Sequence, residues 1–112
     1  MSQELTKSQK RRLREWAGVA YERELAAATA ALLAQFRRWE AHEMDVFQLN
    51  ERIHEFHSGV SCTLDNRYAG RDPAFAVAYA IKTGLLTREE IGDDLFALVE
   101  NMVGVLSSAE FQ

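Results

Sequence analysis

Residues 7–40 read KSQKRRLREWAGVAYERELAAATAALLAQFRRWE. The stretch holds no proline, and its only glycine is Gly18. Leu13, Trp16, Ala17, Ala20, Tyr21, Ala28, Leu32, Phe36 and Trp39 recur at spacings of three and four, with a gap at Glu24. That is the period of a helix and not of a strand. Thr6 with Gln9 three residues on forms a capping box at its start. The alanine-rich run from Ala26 to Ala31 has high helix propensity and lets another helix approach closely. One helix of this length extends about 50 Å at 1.5 Å per residue. A compact domain of this size is only about 35 Å across. The helix is therefore expected to overhang its own globule, and something must cover the overhang.

Downstream, punctuation divides the chain into shorter helices. His42 stands where a left-handed residue, usually glycine, would end the first helix. Asp45 and Gln48 form a second capping box, and Val46, Leu49, Ile53, Phe56 and Val60 form an apolar stripe after it. Gly59 is expected to end that helix, with Ser61 or Thr63 capping a short one that Gly70 closes. Asp72-Pro73 pairs an N-cap carboxylate with proline at the first helical position. The following segment to Thr83 is apolar almost all round, as the buried centre of a small domain should be. Thr87 to Glu90 is a third capping box, Gly92 interrupts, and Asp93 or Asp94 starts a last helix facing inward through Leu95, Leu98, Val99, Met102 and Leu106. The expectation is one all-α domain over residues 1–112, of about five helices, with one long N-terminal helix packed on a small helical bundle.

Composition narrows the class. The chain has 112 residues, is 47% apolar and 27% charged, which argues against disorder. No apolar run is long enough for a membrane span, and the polar N-terminus lacks a signal sequence, so a cytoplasmic protein is expected. The single Cys62 fits a reducing compartment and reads as a buried structural thiol. Net charge is −4, unevenly spread: residues 1–40 carry eight Lys/Arg and five Asp/Glu, the remainder five and twelve. The basic run Lys7, Lys10, Arg11, Arg12 and Arg14 could meet phosphates, but the acidic total disfavours nucleic acid. A basic helix seated on acidic surface, its own or a second copy's, accounts for the asymmetry equally well.

The segment from Trp39 to His57, together with Asp72 to Ile81 and Gly84-Leu85-Leu86, resembles a group of small, uncharacterised all-helical bacterial proteins. The resemblance spans about Leu13 to Met102 and implies a bacterial cytoplasmic protein, with no activity attached. His42 replaces the usual turn glycine.

Two sets of residues are candidates for function. Glu51, His54 and His57 project from one flank of the second helix, and imidazole with carboxylate suits zinc, iron or nickel. Glu51-x-x-His54 has the spacing found on each of two helices in di-iron bundles, yet the two further glutamates are unmarked. Otherwise the histidines hydrogen-bond at the rim of the core, with Glu51 and Glu55 on a solvated face. The second set is Leu13, Trp16, Ala17, Ala20 and Tyr21, an apolar face expected on the overhanging half of the long helix. Leaving such side chains in water forfeits about 1.5–3 kcal/mol for each large one. A homodimer through the first helix would cover them, and a bend near Gly18 or Glu24 is the rival. No phosphate loop, serine elbow or paired-cysteine box occurs, and no catalytic constellation or cofactor is indicated. The function expected is therefore a self-associating protein-interaction module, with a transition-metal protein as the alternative and an unidentified protein partner also open.

Overall fold

The computed structural model describes residues 5–68 and 72–109, with side chains through Leu106 in the last helix. Its elements are α1 (Lys7–Glu40), α2 (Val46–Glu55), a π-helical segment (Phe56–Ser61), α3 (Cys62–Tyr68), α4 (Pro73–Thr83), α5 (Arg88–Ile91) and α6 (Asp93–Ala109). Among the described residues there is no strand. α1 is a single 34-residue helix, so neither Gly18 nor Glu24 interrupts it. The radius of gyration is 17.5 Å and the extents are 60 × 32 × 25 Å. A compact chain of this length would have a radius near 13 Å, so the rod sets the shape.

Local signals build the ends of these helices. The capping boxes of Thr6 with Gln9, Asp45 with Gln48, and Thr87 with Glu90 are all formed. The Asp72 side chain accepts from the Ala74 amide, with Pro73 at the first position of α4. His42 has φ 64°, a left-handed value. Its amide donates to the Trp39 carbonyl at 3.0 Å, and the Glu43 amide to the Arg38 carbonyl at 2.9 Å. This is the two-bond Schellman closure, which normally takes glycine.

The core lies at the N-terminal end of the rod. α4 packs between α1 and α6. Ala74, Ala76, Val77, Ala78 and Ala80 are all buried, and such small residues allow two helices to approach α4 closely. Leu13, Ala20, Val77, Leu86, Ile91, Leu95 and Val99 belong to one cluster, and Trp16 and Ala17 pack partly buried against it.

The second half of α1 carries a thinner layer. α2, the π-helical segment and α3 lie against it as one continuous helical run, burying Met44, Leu49 and Leu64. Gly59 does not end a helix as expected. The chain passes through it in i→i+5 geometry and continues into α3 without a cap at Ser61 or Thr63. The expected stop at Gly70 lies outside the described residues. Of the α2 stripe only Leu49 is buried; Val46, Ile53 and Val60 stay exposed, and among the described residues α1 is the main helix packed on α2.

Candidate functional site

Polar clamps fix which face of α1 meets the body. Arg12 donates to both carboxylate oxygens of Asp94, at 2.6 and 3.3 Å, and to the Ile91 carbonyl at 3.1 Å. Arg23 forms the same fork with Glu90, at 3.0 and 2.7 Å, and reaches the Leu85 carbonyl at 2.7 Å. Next to Arg23, Glu24 accepts from Arg67 and from the Tyr68 hydroxyl at 2.7 Å. Tyr21 stacks on Tyr68 with centroids 4.9 Å apart, and the Arg67 guanidinium lies 4.5 Å over Tyr79. The electrostatics follow from these contacts. Arg23, and then the Thr87 amide, hold the Glu90 carboxyl down at about 2. Arg12 likewise lowers Asp94. Burial, then the bond to Glu24, raises Tyr68.

On a helical wheel, Leu13, Ala20 and Glu24 fall within about 40° of one another and mark the packed face. About 180° away runs a second apolar strip, Leu25, Ala26, Thr29, Ala30, Leu33 and Phe36, on the opposite side of the same rod. Leu25 to Leu33 form a shallow groove closed at one end by Glu22. Leu33 is 49% exposed and Phe36 37%. The Thr29 hydroxyl donates to the Leu25 carbonyl at 2.8 Å, so this polar group is satisfied within the helix and does not need water. Ala26, Thr29, Leu33 and Phe36 alternate by three and four, the spacing of a coiled-coil seam. Among the described residues, no other element lines the groove that this strip forms. Trp39, Val46 and Phe47 leave further apolar surface at the hairpin tip, Phe47 at 80% exposure.

The expected interface residues lie elsewhere, and that assignment needs correcting. Leu13 and Ala20 are sealed in the core, Trp16 and Ala17 are partly buried against it, and Tyr21 stacks on Tyr68. The globule sits under the first half of α1, so the overhang falls on the second half. Sequence reading missed Leu33 as a candidate, although the seam spacing from Ala26 to Phe36 was there to find it.

Glu51, His54 and His57 are all exposed, and among the described residues no group of three or more His, Cys, Asp or Glu is placed to hold a metal ion. The π-helical segment begins at Phe56, so His57 falls beyond the register that Glu51 and His54 share. Cys62 is exposed, contrary to expectation, at the start of α3 just after the π turn. Among the described residues no helix is long and apolar enough to cross a membrane. No protein family, curated protein or solved structure matches the chain.

Proposed function

We propose that this protein is a helical interaction module that self-associates through the second half of α1. The observation that carries the reading is Leu33, half exposed in an apolar seam that no other element among the described residues lines. Each large apolar side chain moved from water into a packed interface contributes about 1.5–3 kcal/mol. Leu33 and Phe36 supply two exposed ones, with half-buried Leu25 on the same line, and the alanines between them permit a close helix–helix approach. A rod bolted to its globule at one end, with a seam on its far side at the other, is suited to presenting that seam to another chain. Its heptad-like spacing favours a partner that is itself a helix, and the same seam on a second copy meets that requirement.

Sedimentation velocity across a micromolar concentration series tests this. A boundary that shifts from the monomer to a species of twice the mass supports it. A single monomeric boundary at all concentrations removes it.

A further inference from the structure

The seam's ends are charged in a way that selects one mode of pairing. Resting on the self-association proposed above, we infer that two copies pair antiparallel, about a twofold axis crossing α1 between Thr29 and Ala30.

Glu22 and Arg37 bracket the apolar strip. Both are exposed, and neither forms an ion pair among the described residues. Every neighbouring charge on the packed side is already engaged: Arg23 with Glu90, Glu24 with Arg67, and Arg38 with Glu43. Twofold symmetry about the Thr29–Ala30 point brings Glu22 level with the partner's Arg37, and by symmetry Arg37 level with the partner's Glu22. The same operation sets Leu33 level with the partner's Ala26, large against small, as interdigitating helices require. It also runs the first turns of α1, with exposed Arg14, past the end of the partner's α1, toward the acidic tip that carries Glu40, Glu43 and Asp45. The basic first turns of one rod thus run past the acidic hairpin of the other.

Parallel pairing does the reverse. It sets Glu22 beside Glu22, Arg37 beside Arg37, and Lys7, Lys10, Arg11 and Arg14 beside their own copies. Like charges held together across an interface are costly. The apolar seam is compatible with either direction, and the charges choose between them.

Charge reversal and cross-linking together test the register. Glu22→Arg or Arg37→Glu alone should weaken the dimer about tenfold, since each removes two symmetry-related attractions and turns them repulsive. The Glu22→Arg/Arg37→Glu double variant should recover to within about threefold of the original, because the signs are merely exchanged. A double variant as weak as the two single losses combined overturns the pairing. Disulfide capture reads orientation directly in a Cys62→Ser background. Ala26→Cys chains mixed with Leu33→Cys chains should form the mixed disulfide rapidly. Ala26→Cys alone should not close on itself, because its twin lies seven residues, about 10 Å, along the axis. Rapid self-closure of Ala26→Cys in a protein that still dimerises overturns the antiparallel register and leaves self-association standing. A protein that stays monomeric at high micromolar concentration overturns both.

Discussion

Arg23 of α1 grips Glu90 of α5 through a two-pronged hydrogen bond, 3.0 and 2.7 Å, across 67 positions of sequence. Glu90 is at once the reciprocal member of α5's capping box and the anchor that seats that helix on the rod. One side chain therefore links a local signal to the tertiary arrangement.

That link is pH-dependent with a definite sign. Glu90 in the folded chain titrates at about 2, against an ordinary value of 4.5. A carboxyl depressed on folding contributes stability that is complete above 4.5 and lost as pH falls through about 2. Glu90→Gln should lower the urea midpoint at neutral pH. The gap between variant and original should narrow on acidification through that window. A gap independent of pH would show that the Arg23 fork does not operate in solution.

Gly92 takes φ 93° between α5 and α6, where L residues are strained. A Cβ there would also sit 3.1 Å from an Asp94 carboxylate oxygen and 3.6 Å from Arg12 Nη2. Gly92→Ala should therefore cost about 1–3 kcal/mol, by strain and by disturbing the Arg12–Asp94 clamp. Thermal denaturation measures it, and an unchanged midpoint would remove the argument.

His42 holds the opposite position in the trade. It bears a side chain at φ 64° in a turn that glycine closes without strain. His42→Gly should raise stability by about 1 kcal/mol. A loss instead would mean that the imidazole makes a contact outweighing the backbone strain.

Leu13 and Leu33 separate core from seam on one helix. Leu13 is 1% exposed, and Leu13→Ala should cost about 2–5 kcal/mol of folding stability. Leu33→Ala should leave the folding of the single chain within about 0.5 kcal/mol and weaken association instead. Chemical denaturation below the dimer dissociation constant, beside sedimentation, distinguishes the two effects.

Much of this architecture was legible because its causes are local. Thr6, Asp45, Thr87 and the Asp72-Pro73 pair announce helix starts within four residues, and α4 declares its burial by lacking a polar face. Features set by distant contacts were not. Gly59 resembles a stop, but it carries no left-handed turn here, and the chain absorbs it in a π segment. Glu24 showed only as a gap in an apolar stripe, because its partners Arg67 and Tyr68 lie more than forty residues away. The choice between α1's two apolar faces depended on where α4 packs, so Leu13 looked like surface and Leu33 went unnoticed. Glu51, His54 and His57 matched a spacing that the described structure does not turn into a metal-holding group.

Solution mass of the intact chain beside Leu33→Asp is the most direct test of the seam. At high micromolar concentration, light scattering should give about twice the 12.7 kDa chain mass for the original. The variant should give the single-chain mass with an unchanged helical circular-dichroism signal. A monomeric original, or a variant that still dimerises, would contradict the assignment of α1's second half as the contact surface.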